Sequence, residues 1–319
     1  MRSYPIPVAA NWLIAGAAII ASCACLWFAS HAHSWWWMLA AAVVFSYTNN
    51  TLFSLHHEAV HGVFNPNRRI NHAAGVLLAG FFPTIFSIQR ISHIGHHRRN
   101  RTDEELYDYY LPHQSWWLKT YWIYCLLTGF YWAIIPVAAL LYVLCPWAFR
   151  SRWFQHGPAR WWGFEPFVAD IAKAPIARVW LEGVCSLLLQ ATLFWALDLT
   201  WQGWLVCYWA FGLNWSSVQY SDHAGSPRDV IEGAWNLYFW PGARWLFLNY
   251  NYHLAHHREP QIPWIHLPNC VRPGEAQPSF WRIYLVLWRG AQKAPPGPGP
   301  QPLPYPLQEW EQQTSTRNP

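Results

Sequence analysis

Three short clusters of histidine have the spacing of metal ligands. The first places two histidines four residues apart, and the other two share the pattern His-x-x-His-His. If each segment is helical, every cluster turns its imidazoles to one face. Neutral imidazole is the commonest metal-binding side chain and suits iron, zinc, copper and nickel. The clusters are His57 and His61; His93, His96 and His97; and His253, His256 and His257.

The number of clustered histidines indicates more than one metal ion. Tetrahedral zinc takes four ligands and octahedral iron takes six, so eight convergent histidines exceed what one ion binds. Repetition of His-x-x-His-His at two distant places is improbable by chance. Two metals in one site are therefore predicted. The histidines that stand alone are expected to have structural roles; they are His31, His33, His72, His113, His156 and His266.

Two other functions fit part of this pattern. The stretch from His57 to His61 also matches His-Glu-x-x-His, in which two histidines bind zinc and the glutamate, here Glu58, activates water. In a membrane helix it would indicate an intramembrane zinc metalloprotease, but both His-x-x-His-His clusters would then have no role. A non-catalytic metal-binding membrane protein is a further alternative. The apolar segments contain almost none of the ionisable residues that a metal pathway would need.

The composition favours one membrane domain over two soluble domains. The chain has 319 residues, of which 53% are apolar and 12% are charged, and it contains 26 Trp and 16 Tyr. Trp and Tyr favour the bilayer interface. The net charge of +5 is too small and too scattered for a nucleic-acid surface. The 7 cysteines have no Cys-x-x-Cys spacing, so neither a disulfide framework nor a zinc knuckle is expected.

The apolar segments predict an all-α integral membrane protein with four transmembrane helices in two hairpins. The first hairpin comprises residues 11–30 and 35–55, and the second comprises residues 179–197 and 201–218. Residues 73–87 are short and contain Pro83, so they predict a re-entrant or interfacial segment. Residues 121–147, which contain Gly129 and Pro136, predict a broken hairpin or an interfacial helix. A short interfacial helix is expected at 280–288.

The second helix and the charges after it predict the orientation. Its end is polar, which indicates contact with protein and not lipid; the residues are Asn49, Asn50, Thr51 and Ser54. Arginines follow at positions 68, 69, 90, 98, 99 and 101. By the positive-inside rule, the histidine-rich cap is expected on the cytoplasmic side of an inner, cytoplasmic membrane. The catalytic domain is predicted at residues 1–292, with a flexible proline-rich tail at 293–319.

On these residues, the chain resembles the membrane fatty acid desaturase superfamily, whose histidine-box di-iron enzymes include acyl desaturases, lipid hydroxylases and carotenoid ketolases. The resemblance covers residues 11–270. Residues 251–264 are close to a bacterial third box, Asn-Tyr-His-Leu-Glu-His-His followed by Pro-x-x-Pro-Trp, and Asp222-His223-Ala224-Gly225 resembles the site of an additional ligand. The implied metal ligands are His57, His61, His93, His96, His97, His223, His253, His256 and His257.

The resemblance leaves one ligand open and adds residues that would orient the others. His56 replaces His57 if the first box has four intervening residues instead of three. Gln219 lies one turn before His223, where some relatives have an asparagine near one iron. The side chains expected to accept hydrogen bonds from ligand N–H groups, or to orient the ligands, are Glu58, Asp103, Glu104, Asp222 and Asn249.

The resemblance implies two iron ions as cofactor, with O2 as co-substrate, and oxidation of an unactivated C–H bond in a lipid or fatty acyl chain. Acyl desaturation is the preferred reaction; hydroxylation, ketolation and oxidative decarboxylation are the alternatives. No catalytic residue is predicted beyond the metal ligands. The chain lacks cytochrome b5, iron–sulfur and dinucleotide motifs, so an external donor of ferredoxin, rubredoxin or cytochrome type is expected. Arg98, Arg99 and Arg101 are expected to form part of its docking surface.

Overall fold

The computed structural model describes residues 4–304, and most of them are helical. The first half contains α1 (Val8–His31), α2 (Trp35–Val60), α3 (Arg68–Phe81), α4 (Phe86–Arg99), β1 (Tyr109–Tyr110), α5 (Trp116–Leu127) and α6 (Phe130–Leu144). The second half contains α7 (Arg152–Phe154), α8 (Arg160–Trp162), α9 (Glu165–Ile171), α10 (Ile176–Ala196), α11 (Trp201–Ser221), α12 (Pro241–Leu246), α13 (His253–Arg258), α14 (Phe280–Leu287) and β2 (Gln292–Lys293). Short 3₁₀ segments at Ala148–Arg150 and Trp264–Cys270 and a π segment at Gln155–Ala159 complete the described elements. The prediction of a helical protein is confirmed.

The first two helices form the predicted hairpin. A three-residue turn joins them, and the Ser34 hydroxyl caps α2 by accepting a hydrogen bond from the Trp36 N–H. The hydroxyl oxygens of Ser22 and Thr48 lie 2.9 Å apart where the two helices pack together. Both predicted apolar segments fall within these helices, and α2 continues beyond the predicted end to Val60.

The C-terminal half of α2 is buried at the centre of the fold. This helix packs against α1, α3 and α11. Its polar residues bind backbone carbonyls of neighbouring segments: Asn49 Nδ2 donates to Phe81 O, and Thr51 Oγ1 donates to Leu246 O. Such contacts satisfy polar groups that lipid could not. The prediction that the polar end of this helix faces protein is confirmed.

α3 and α4 form a bent pair. Asn67 caps α3 by accepting hydrogen bonds from the N–H groups of Arg69 and Ile70. The break that follows contains Pro83, and the axes of the two helices differ there by 97°. A bend of this size fits either a re-entrant segment, as predicted, or a broken span. In both cases α4 brings the second histidine cluster toward the end of α2.

α5 and α6 form a second bent pair, with an angle of 93°. The break lies at Gly129, whose φ of +81° favours glycine. A Cβ at this position would lie 2.6 Å from the backbone nitrogen of Leu213, so the close approach of α11 also requires glycine. The predicted interruption at Gly129 is confirmed. The predicted interruption at Pro136 is wrong, because that proline lies inside α6.

α10 and α11 correspond to the second predicted hairpin. Among the described residues, α1 and α10 are the two helices that are long and apolar enough to cross a membrane, and the number rises to 4 if each bent pair is one span. α2 and α11 have 26 and 21 residues but contain more Trp, Tyr and polar side chains. The apolar helices indicate an integral membrane protein with two to four candidate spans.

The end of the described chain contacts the segment that follows the second histidine cluster. β2 pairs in parallel with β1, with Gln292 opposite Tyr109. The Leu303 N–H donates a hydrogen bond to the Arg98 carbonyl at 2.9 Å. The first part of the predicted tail is thus attached to the helical body at both of these places. Residues 305–319 of that tail lie outside the described residues.

Candidate metal centre

Eight histidines form two groups, in each of which the potential ligand nitrogens lie within 4.8 Å of one another. We call these groups the first and the second quartet. The first quartet consists of His57, His61, His93 and His256, and the second consists of His96, His223, His253 and His257. Each quartet combines residues from three separate parts of the chain. Neither group could be formed by one cluster of the sequence alone.

α4 and α13 each contribute to both quartets. Their His-x-x-His-His patterns are helical, so positions i, i+3 and i+4 share one face. In α4, His93 belongs to the first quartet and His96 to the second. In α13, His256 belongs to the first quartet, whereas His253 and His257 belong to the second. The histidines of one His-x-x-His-His pattern are therefore divided between the two quartets.

The ninth predicted ligand, His97, lies between the quartets. Its Nε2 atom is 3.0 Å from Nε2 of both His93 and His256, which belong to the first quartet. Its ring centroid is 4.3 Å from that of His257 in the second quartet. All nine histidines implied by the resemblance thus converge on one centre.

The spacing of the nitrogens fits a six-coordinate metal. Neighbouring Nε2 atoms are separated by 2.9 Å between His57 and His93 and by 3.2 Å between His253 and His257. Two nitrogens bound at about 2.1 Å to an octahedral ion are about 3.0 Å apart, and on a tetrahedral ion about 3.4 Å apart. Imidazole also suits iron chemically. The residues therefore fit two iron ions.

The structure distinguishes the two histidines that compete for the first box. His57 belongs to the first quartet. The His56 ring instead packs among aromatic rings, with its centroid 5.7 Å from that of Phe86 and 6.0 Å from that of Phe53. Consecutive residues of a helix point about 100° apart, so only one of the pair can face the centre.

Two histidines of the second quartet have hydrogen bonds that determine which ring nitrogen remains available for a metal. His96 Nδ1 lies 2.9 Å from Glu105 Oε2, and His223 Nδ1 lies 2.8 Å from Gly233 O. Because a carboxylate and a carbonyl only accept, each Nδ1 donates and each Nε2 keeps its lone pair for a metal. Glu105 was not predicted from the sequence, where Asp103 and Glu104 were named instead.

Those two neighbouring carboxylates lie beside arginines. Asp103 forms an ion pair with Arg228, and Glu104 is exposed and lies 3.8 Å from Arg99. The prediction that they orient ligands is wrong. Glu105 directly follows these two residues in the sequence. A turn after α4 brings the Glu105 carboxylate to His96.

Burial keeps the imidazoles of the third cluster neutral. Desolvation, reinforced by repulsion from neighbouring histidines, lowers the pKa of His253, His256 and His257 well below the ordinary value. The same cause lowers the pKa of His223. A neutral ring has the lone pair that a metal ligand requires. The cluster is therefore suited to bind metal at neutral pH.

Glu58 and Asn249 both form hydrogen bonds with the backbone of Trp264. Glu58 Oε2 accepts a hydrogen bond from the Trp264 backbone N–H at 3.0 Å, and Asn249 Nδ2 donates to the carbonyl of the same residue at 3.1 Å. Glu58 thereby attaches the segment after the third cluster to α2, and Asn249 attaches it to the turn after α12. The predicted ligand-orienting role is therefore replaced by a role in holding that segment.

Gln219 and Asp222 lie near the centre in different ways. Gln219 Oε1 accepts a hydrogen bond from the Tyr250 hydroxyl, and the Tyr250 ring packs against His57 and His253. Its contact with the centre is therefore indirect. Asp222 is 1% exposed, and its two carboxylate oxygens lie 3.8 Å and 3.5 Å from Nε2 of His223 and His253.

The arginines predicted to bind an electron donor are mostly buried. Arg99 forms ion pairs with Glu105 and Asp170, and the fully buried Arg101 forms one with Asp108. The prediction of a docking surface is therefore wrong for Arg99 and Arg101. Their charges instead hold together the segments around the second cluster.

The isolated histidines lie outside both quartets. Three of them have structural partners: His72 lies 3.2 Å from Glu182, His156 lies 2.7 Å from Glu165, and His266 Nε2 lies 3.1 Å from the Pro5 carbonyl. These contacts agree with the expected structural roles.

Comparison with known proteins identifies a family for most of the chain. The sequence model described as fatty acid desaturase matches residues 34–284, which include both quartets and His97. No individually curated protein matches the chain.

Proposed function

Because this chain belongs to the fatty acid desaturase family, we propose that it is a membrane-bound non-heme di-iron oxidase of a lipid or fatty acyl chain. It would use O2 and external electrons, and acyl desaturation is the preferred reaction. The observation that carries this proposal is the pair of adjacent histidine quartets. The family match and the apolar helices support it.

The protein would hold one iron in each quartet, with His97 beside the first. Two irons bound there supply the reduction of O2 and the removal of hydrogen from an unactivated C–H bond, which no side chain can perform. The chain provides neutral ligands, a buried setting and fixed ring orientations. A cavity of about 10 Å³, large enough for one water molecule, touches both quartets and is also lined by Leu248, Trp264 and Leu267.

The shape of the fold supports a hairpin topology for the four long helices. α2 and α11 both end near the histidines. At 1.5 Å per residue, the first residues of these helices lie about 30 Å from the histidines, which matches the thickness of a bilayer core. Exposed Trp residues mark that far end: Trp35, Trp36, Trp37, Trp195 and Trp201. We assign this end to one membrane interface and the histidines to the other.

The side of the membrane follows from the basic residues near the histidines. Arg68 and Arg69 begin α3 directly after the first box, and Arg150, Arg152 and Arg160 lie before α10. By the positive-inside rule, this face would be cytoplasmic. We further propose that the membrane is the inner, cytoplasmic membrane. Residues 1–292 would form the catalytic domain in this arrangement.

Aromatic side chains support an apolar substrate. Beneath the first quartet, Phe53 packs against Phe82, Trp215 and Tyr250, with ring centroids 5.2–5.9 Å apart. These rings lie within the largest apolar cluster around α2 and α11. These rings would give the alkyl chain of a lipid apolar surroundings beside the first quartet. Electrons would come from a separate ferredoxin, rubredoxin or cytochrome.

Three related reactions share the first step with desaturation. Hydroxylation, ketolation and oxidative decarboxylation also begin with removal of hydrogen from a C–H bond, so they are the alternatives within the family. A zinc protease built on His57, Glu58 and His61 is disfavoured, because the Glu58 carboxylate accepts a hydrogen bond from the Trp264 backbone.

Metal analysis tests the proposal directly. The full-length protein, purified in detergent, is compared with His257→Ala, and His113→Ala serves as a control because that histidine is exposed and outside both quartets. We expect about two irons per chain in the wild type and control, and less in His257→Ala. A lipid-product screen with O2 and a reducing system would follow.

A different metal pattern would contradict the proposal. One zinc per chain that is retained in His257→Ala but lost in His57→Ala would favour the protease. Binding of iron without any lipid product would favour a non-catalytic metal protein.

A further inference from the structure

Asp222 is a buried carboxylate whose position differs from that of the other acidic residues near the centre. It follows the last residue of α11 and is 1% exposed. Neither of its oxygens has a hydrogen-bond partner among the described residues. A buried carboxylate without a partner costs several kcal/mol. A cation beside the ionised carboxylate would offset this cost.

The neighbouring side chains do not supply that cation. The groups nearest to the carboxylate are His223 and His253, and both belong to the second quartet, where their Nε2 atoms would bind the metal itself. The nearby Arg101 is already paired with Asp108 at 2.5 Å. A metal ion in the second quartet is the cation that the arrangement fits.

The side of the imidazoles that Asp222 faces supports direct binding. A carboxylate that only orients a ligand accepts a hydrogen bond from Nδ1, as Glu105 does at His96. Asp222 instead lies near Nε2 of His223, whose Nδ1 is occupied by the Gly233 carbonyl. Nε2 is the atom that remains for the metal. The carboxylate is therefore on the metal side of the ring.

The two quartets also differ in their fifth donor. His97 Nε2 lies 3.0 Å from two nitrogens of the first quartet, at the spacing of neighbouring ligands. The second quartet has no such histidine, and Asp222 occupies the comparable place at 3.5 Å from His253 Nε2.

We propose that Asp222 is a direct carboxylate ligand of the metal in the second quartet. This inference rests on the proposed function, in which each quartet holds one iron. The first iron then has five neutral nitrogen ligands, and the second has four nitrogens and one anionic oxygen. Carboxylate is a harder ligand than imidazole, so the two irons are chemically different.

The test measures iron binding and not activity. Full-length wild type, Asp222→Asn and Asp222→Ala are purified in detergent, stripped of metal and titrated with ⁵⁷Fe(II) without oxygen. Asp229→Asn is the matched control, because Asp229 is exposed and caps a turn by accepting from the N–H groups of Ile231 and Glu232. Iron content and Mössbauer spectra are recorded for each protein.

We expect one of the two irons to bind about tenfold or more weakly in Asp222→Asn and Asp222→Ala. The spectrum of the other iron should remain unchanged. Formate, which can replace the missing carboxylate, should restore the lost signal in Asp222→Ala but not in Asp222→Asn. The Asp229→Asn control should match the wild type.

Two results would overturn the inference. The first is two irons with wild-type affinity and spectra in both Asp222 variants. The second is parallel loss of both irons without rescue by formate, which would mean that Asp222 supports the fold. Failure of the wild type itself to bind two irons would instead contradict the proposed function.

Discussion

At the scale of single residues, the contact of each Nδ1 decides how a histidine can act. His96 donates to a carboxylate and His223 donates to a carbonyl, so both present Nε2 to the centre. The Glu105 carboxylate also pairs with Arg99 at 2.9 Å, which fixes its position. Each of these rings is therefore oriented by a residue outside the two quartets.

Glu105→Gln should weaken metal binding about 10–100-fold, because the neutral amide is a poorer acceptor for His96 Nδ1–H. Glu104→Gln is the matched control, since this adjacent carboxylate is exposed and 3.8 Å from Arg99. Titration of the metal-free proteins with Fe(II) measures both affinities. Equal affinities in the two variants would show that the hydrogen bond to His96 has no influence on the metal.

At the scale of elements, breaks in helices are as important as the helices themselves. α4 reaches the histidine centre because the chain bends by 97° after α3. The break between α5 and α6 lies in close contact with the backbone of α11. Gly129, at that break, has a φ of +81°, and a Cβ added to it would lie 2.6 Å from the backbone nitrogen of Leu213. Two separate physical requirements thus select the same residue.

Gly129→Ala should destabilise the protein by more than the cost of a left-handed residue, about 1–2 kcal/mol, because a backbone clash is added. Gly163→Ala is the comparison for strain alone, since Gly163 has a φ of +83° and open space around its Cβ position. Gly157→Ala is the unstrained control. Thermal unfolding in detergent ranks the three variants. A midpoint for Gly129→Ala equal to that of Gly163→Ala would contradict the clash.

At the scale of the whole molecule, buried ion pairs join segments that are distant in the sequence. Arg99 connects the end of α4 with Asp170 in α9. Arg101 binds Asp108, the Tyr220 hydroxyl and the Ser226 carbonyl, which lie around the end of α11. The second histidine cluster is therefore fixed to both halves of the chain. These charges serve assembly and are not available to an electron donor.

Arg101→Met should lower the stability by about 3–5 kcal/mol, because Asp108 would remain as a buried charge without its partner. The double variant Arg101→Met, Asp108→Asn should recover part of this loss. Arg228→Met is the control, since its partner Asp103 is half exposed and such pairs contribute about 0–1 kcal/mol. Thermal unfolding in detergent compares the four proteins. A double variant less stable than Arg101→Met would contradict the interpretation.

The sequence by itself determined the helical class, the first hairpin, the break at Gly129 and the three histidine clusters, because helical spacing and hydrophobic length act locally. The resemblance to the family added His223. Only the tertiary structure decided the pairing of histidines into quartets, since each quartet joins residues from three segments. It also replaced Asp103 and Glu104 with Glu105, and buried Arg99 and Arg101. These outcomes depend on how distant segments pack, because a charged side chain is exposed or buried according to partners that are far away in the sequence.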